Sequence, residues 1–376
     1  MLRGIGVGAL LSRLVLLTSL GLVLLYSSSI ELAKNAPLHM AMPQEYARVV
    51  HEKMVFTLPG TDSLLQHQVW LLSDAQQRPL LYCSDVITPV CIDGLCKPMY
   101  ITLYWNLVGH YVGYGVFQDN LLTKFDHEAF TPTDYAKLHT LLLDQHSILE
   151  RKTMADLFDQ SIAAKEKITF NGEEVDAVSG ATRAEIKESV VEGALYSCFT
   201  AWHLAHGNIK EQIEQNLLTY YDATLAETFL GSPAEDYQLF ALKQLDQNTL
   251  VRLLPQVQEI FNRTSPGIRL YILKKLPKEL WKDEKISQSF FQTFAGVDIN
   301  TRTLLLNNLK YAHPSVVNSL VNDLEQMSKN QLSTFLNYLA ENRQLLNGQV
   351  KAKLVQIAQN KSFTENYIIE TFLKSN

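Results

Sequence analysis

Glycine and proline are scarce in this chain. Among 376 residues there are 17 Gly and 12 Pro, together roughly 8% where about 12% is usual. So little backbone punctuation favours long helical stretches. Cysteine is scarcer still. Four residues are too few for a disulfide-stapled scaffold, and no Cys-x-x-Cys-His run is present, so covalent haem is not supported. Basic charge is also in short supply: 33 Lys and Arg stand against 39 Asp and Glu, a net charge of −6. With no long basic run, nucleic acid is not an expected partner. What is abundant is apolar surface. Hydrophobic residues are 47% and charged residues 19% of the chain, which suits a folded protein of two or three domains and excludes a disordered one.

The first 35 residues differ in kind from the rest. Arg3 and Arg13 precede a mostly apolar run, Leu14–Tyr26, followed by Ser27–Ser29. The run is shorter than the ~20 residues of a spanning helix and fits the core of a signal peptide. An uncleaved membrane anchor over Ile5–Tyr26 and a buried N-terminal helix are the alternatives. The first two place the remainder of the chain outside the cytoplasm, in the periplasm or at the cell surface.

Two of the cysteines, Cys91 and Cys96, flank the turn signal Asp93-Gly94 in "CIDGLC". In an oxidising compartment a structural disulfide is the default for such a pair. Redox activity and metal binding are the weaker readings, because the spacing is neither that of a thioredoxin-like motif nor that of a metal site. His110, His127, His139 and His146 show no metal spacing either.

The coarse pattern has three parts. Residues 1–35 form the leader. Residues 36–207 mix strands and helices. "PQEYARVVHEKMVFTLPGTDSLLQH" predicts a short helix and then a loop. "HQVWLLSD", "PLLYCSDVI", "MYITLYWNLV" and "HYVGYGVF" predict strands, with "DAQQRP" as a turn. Gly113 and Gly115 within the last strand mark a bulge, a bend or a close backbone approach to a ligand. "TPTDYAKLHTLLLDQHSIL" predicts a helix capped by Thr133 or Asp134. "KITFNGEEVDAV" predicts two strands around an Asn171-Gly172 turn. Residues 208–376 are one helix after another, each 15 to 20 residues apart, in the manner of a HEAT-like α-solenoid or of an irregular bundle. The expected fold class is therefore α+β, followed by an all-α helical-repeat domain. Asn262–Thr264 and Asn360–Ser362 match glycosylation sequons, which carry weight only in a eukaryotic secretory pathway.

"DAVSGAT", Asp176–Thr182, stands directly before "RAEIKESVVEGALYSCFTAWHLA". Thr182 and Glu185 have the spacing of a capping box, and a helix is predicted from there to a stop at Gly207. Capping accounts for Thr182 and Glu185. It leaves Asp176, Ser179, Gly180 and Ala181 unexplained. The full run resembles the flavinylation motif of the FMN-binding domain family, which includes the flavin-carrying subunits of the Rnf complex and of the sodium-pumping quinone reductase. That motif is Asp, two variable residues, Ser or Thr, Gly, Ala, Thr. Asp176, Ser179, Gly180, Ala181 and Thr182 match it in order, while Arg183-Ala184 stands where family members commonly carry another Thr or Ser. The resemblance implies FMN joined through its phosphate to Thr182 by a dedicated flavin transferase, in a protein that exchanges electrons with membrane-associated redox partners. It covers at most Gln68–His206. Trp105, Tyr111 and Tyr114 are candidates to stack on the flavin, or else core aromatics.

Two functions follow. One is an exported or membrane-anchored electron carrier with covalent FMN and a helical docking domain, more a carrier than an independent enzyme. The other is a non-redox exported scaffold with an FMN-binding-like fold and no cofactor. A thiol–disulfide protein built on Cys91 and Cys96 is a third.

Overall fold

The computed structural model describes residues 38–59, 66–90, 97–124, 127–157, 169–170, 173–174 and 184–375. They fall into two compact units that divide at Tyr220–Tyr221.

The first unit is built on a six-stranded antiparallel sheet: β1 Leu38–Ala41, β2 His51–Pro59, β3 Gln66–Ser73, β4 Pro79–Thr88, β5 Met99–Trp105 and β6 Tyr111–Val116, in the order β1-β6-β5-β4-β3-β2. The four strands expected from alternation and β-branched content are β3 to β6. The DAQQRP turn closes β3 onto β4. Asp74 accepts hydrogen bonds from the backbone N–H groups of Gln76 and Arg78 and from the Arg78 guanidinium, and Gln77 takes a positive φ of 60°.

The segment expected to be a short helix and a loop is half corrected. Gln44–Arg48 is a 3-10 helix, but His51–Pro59 is the edge strand β2, paired with β3 from His51↔Ser73 to Pro59↔Gln66. Its first four residues, His51 to Met54, are all exposed. An edge strand with so little buried surface shows no apolar alternation, so nothing in its sequence betrayed it.

Gly113 is required by the chain itself and not by a ligand. A Cβ there would run into the Ala41 carbonyl oxygen and the Pro43 ring, where the register of β1 against β6 shifts between His39 and Ala41. The β5–β6 turn depends on Gly109, at φ 81°, whose N–H donates to Asn106 O over 3.0 Å.

One face of the sheet is covered by helices α1 Pro132–Leu143, α3 Leu195–His206 and α4 Ile209–Leu218. Between α1 and α3 come the hairpin β7 Thr169–Phe170 with β8 Glu173–Glu174, as expected, and the single turn α2 Ala184–Lys187. The cap of α1 is Thr131, two residues before the expected Thr133. Pro132 fills the first helical position and Asp134 is the reciprocal capping carboxylate.

The single helix expected from Thr182 to Gly207 is broken. α2 ends at Lys187, Gly193 turns the chain at φ 72°, and α3 starts at Leu195. The sequence places Ile186, Val190, Ala194 and Ser197, with Val191, Leu195 and Cys198 alongside, on one apolar or small face; all are buried except Ser197, which is half-buried. They bury from two helices and the turn between them. There the Val191 N–H donates to Cys198 Sγ, and burial pushes that thiol up to about 12. Gly207 ends α3 as expected, its N–H donating to His203 O.

The second unit is all helix: α5 Ala223–Gly231, α6 Glu235–Gln244, α7 Gln247–Arg252, α8 Leu254–Arg263, α9 Pro266–Lys275, α10 Glu284–Phe291, α11 Ile299–Asn308, α12 Val316–Leu320, α13 Lys329–Glu341, α14 Gly348–Ala358 and α15 Asn366–Ser375. Apart from α7 they form two rows. In one row, α5, α8, α10, α12 and α14 begin at residues 223, 254, 284, 316 and 348, in steps of 30 to 32. In the other, α6 packs on α9, α9 on α11, α11 on α13 and α13 on α15. Side-chain caps start many of these helices: Asp222, Asp246, Asp283, Asp298, Ser328 and Asn347 each accept a backbone N–H from the first turn. The break between the units falls one helix later than the expected boundary at residues 207 and 208, because α4 packs with the sheet.

Candidate functional site

The residues of the flavinylation-like run, Asp176, Ser179, Gly180, Ala181 and Thr182, lie outside the described residues. So do Cys91 and Cys96, and so does the leader, residues 1–35. The helix α2 begins at Ala184, two positions after Thr182 in the sequence.

Trp105, Tyr111 and Tyr114 are core residues. They are 0%, 4% and 0% exposed, which leaves no ring face for a flavin to stack on. Each polar tip is spent on the helical layer. Trp105 Nε1 donates to Ala205 O, Tyr114 donates its hydroxyl to Tyr135 O, and the Tyr111 hydroxyl pairs with His139 Nδ1. Tyr82 on β4 does the same, donating to Asn216 Oδ1 over 2.8 Å with the Tyr220 hydroxyl 2.7 Å away. Buried aromatic side chains need such partners for their polar atoms. On this criterion the three aromatic residues do not fit a flavin ring.

The opposite face of the sheet is different. A groove of about 570 Å³ opens there. Its floor is two cross-strand rows. Trp70, Cys83 and Tyr104 are paired across β3, β4 and β5, and Asp85 faces Thr102 one step further along β4 and β5. Thr102 donates its hydroxyl to Asp85 Oδ1 over 2.6 Å. Tyr46, from the 3-10 helix, leans over one end. Its ring centroid lies 5.3 Å from that of Tyr104 and 4.4 Å from that of His39, whose Nε2 is 2.9 Å from the Tyr104 hydroxyl. Glu52 on β2 completes the wall beside Trp70.

The groove is electrostatically negative. Glu52 and Asp85 line it, and among the described residues no Lys or Arg does. The Tyr104 phenol and the Cys83 thiol are held protonated well above their ordinary ranges, by burial first and then by neighbouring negative groups that include Asp85. Tyr46 is pushed up in the same way, by burial first, against a lowering hydrogen bond to Tyr104, with Glu52 and Asp85 adding to the rise. Cys83 is thus an inert thiol. Burial lowers His39 and His67, so both are neutral near pH 7. His67 is 5% exposed and lines the groove, and its Nε2 has no hydrogen-bond partner among the described residues.

Sequence reasoning missed this site. Trp70, Cys83, Asp85, Thr102 and Tyr104 sit in strands whose sequence was read correctly. The only available signal was the interruption of apolar β4 by Asp85, which looked like ordinary alternation.

No family model matches the chain, and no curated protein or solved structure matches it either. Among the described residues, no helix is long and apolar enough to cross a membrane.

Proposed function

We propose that the chain is an exported or membrane-anchored electron-transfer flavoprotein, with FMN in phosphoester linkage to Thr182. The observation that carries this reading is the ordered run Asp176, Ser179, Gly180, Ala181 and Thr182. It is supported by an α+β unit around the run and by the leader ahead of it. A flavin transferase completes the protein, and membrane-associated redox proteins are its partners. When bound, FMN supplies the electron chemistry. The chain's part is to present the Thr182 hydroxyl to the transferase and to carry the helical unit, which we read as a HEAT-like docking solenoid. The stacking role of Trp105, Tyr111 and Tyr114 is dropped from this reading.

The test is co-expression with a flavin transferase in a compartment where that enzyme works. A mass increase equal to one FMN, located on a peptide containing Thr182 and lost in Thr182→Ala, is the expected result. An unmodified wild-type protein from such cells would leave Thr182 as a helix cap and return the chain to the second reading, an exported scaffold without cofactor. The burial of the three aromatics favours that alternative.

A further inference from the structure

The groove on the open face of the sheet has no role in the flavin reading, and its chemistry stands apart from that reading. Two part-exposed aromatic residues, Tyr46 and Trp70, share it with two carboxylates, Glu52 and Asp85, above the buried Tyr104. Neither carboxylate has an ion pair among the described residues, and both residues are exposed. The Asp85 carboxylate is kept in place by Thr102, whose own side chain is buried. An anion placed here would meet two like charges and, among the described residues lining the groove, no cation. A neutral apolar ligand would leave both carboxylates partly desolvated and unpaired. A bare metal ion is disfavoured as well, because among the described residues no three His, Cys, Asp or Glu side chains converge on one point. A charged group carried on carbon meets none of these objections. Aromatic rings attract it by cation–π interaction, and carboxylates by Coulomb attraction.

We infer that the groove over β2 to β5 is a binding site for a small organic cation, an ammonium or guanidinium on a compact carbon skeleton, seated against the part-exposed rings of Tyr46 and Trp70 with Glu52 and Asp85 as counter-charges. The size agrees, since about 570 Å³ is in the range of small-molecule sites, roughly 300–1,000 Å³.

The test is calorimetric titration of the full chain with choline and with arginine amide, beside 3,3-dimethylbutanol, the uncharged counterpart of choline. The cations should bind in the millimolar range or tighter, and the neutral alcohol at least about fivefold more weakly. Binding should weaken as salt is raised, because the carboxylates are exposed. Glu52→Gln, at an exposed position, should keep the fold and weaken choline about threefold or more. Asp85→Asn should act in the same direction, with unchanged circular dichroism as the control. Equal binding of choline and dimethylbutanol would overturn the inference, as would the absence of heat from either cation up to tens of millimolar. Each outcome is independent of Thr182, so the Thr182→Ala protein serves equally well and the flavin reading is tested separately.

Discussion

Gln258 of α8 donates its side-chain amide to Ser289 of α10 over 2.6 Å. Thirty residues on, Ser319 of α12 donates to Gln288 of α10 over 3.0 Å. The same pair of residue types therefore joins consecutive helices of one row at the same step. In the other row the buried Gln331 of α13 donates to Ile299 O and Thr303 Oγ1 of α11, and the buried Gln238 of α6 accepts from Thr264 at the end of α8, between the rows. These bonds fix the stacking register, which apolar contacts alone would leave free to slide.

Gln288→Ala and Ser319→Ala should each cost about 1 kcal/mol of stability, and the double variant less than the sum of the two. The Gln258 and Ser289 pair should behave alike. Urea unfolding of the four-variant cycle measures this. Additive losses in both cycles would mean that the glutamines do not couple the helices.

The helical unit should be separable at the observed break. A fragment of residues 221–376 should give a strongly helical, cooperative melt. Beginning at residue 208 instead would add α4, whose Ile213 and Leu217 are buried when packed with the sheet, and should lower solubility. Tyr82→Phe in the full chain should cost about 1 kcal/mol by leaving Asn216 and Tyr220 without their partner. A fragment 221–376 that is unfolded by circular dichroism would contradict the division.

Gly113→Ala should be severely destabilising, by roughly 2 kcal/mol or more, since the new methyl group meets backbone at Ala41 and the Pro43 ring. Gly231→Ala, where a Cβ meets nothing within 4 Å, should be neutral or mildly stabilising. Thermal melts of the two variants rank them directly.

Acid should weaken the sheet unit before the helical one. Burial lowers His139, His203 and His206 in the helical layer, as it does His39 and His67. The unfolded chain takes up protons on these groups near pH 6.5, while the folded unit resists doing so until lower pH. Their contribution is thus fully present above about pH 6.5 and is lost as pH falls from there towards the lowered native values. The fragment 221–376 contains a single histidine, His313, and serves as the control. Melting temperatures between pH 7.5 and 5 should fall for the full chain's first transition and stay level for the fragment.

Thr182→Ala should abolish covalent flavin in cells that carry a flavin transferase, while far-ultraviolet circular dichroism is unchanged. Thr182→Ser keeps a hydroxyl and should retain some modification. A pure helix cap would instead lose about 1 kcal/mol with alanine and almost nothing with serine. Intact-mass spectra and melts of the same samples separate the two.

The sequence alone determined the α+β class, the strands β3 to β6, the stop at Gly207 and the helical texture of the second unit. Each has a local cause: β-branched and aromatic content, a turn residue, or the recurrence of apolar positions. Most of the expected apolar face, Ile186, Val190, Val191, Ala194, Leu195 and Cys198 but not the half-buried Ser197, was legible for the same reason, although the turn at Gly193 was not. The tertiary structure decided whatever depends on partners remote in the chain. It made His51–Pro59 a strand, because its pairing comes from β3 and not from its own pattern. It gave α4 to the sheet through Tyr82 and Asn216, which are 134 residues apart. It sank Trp105, Tyr111 and Tyr114 beneath the helices and left Trp70 and Tyr46 open on the other face. Alternation in a strand separates two faces, but only packing decides which of them is covered.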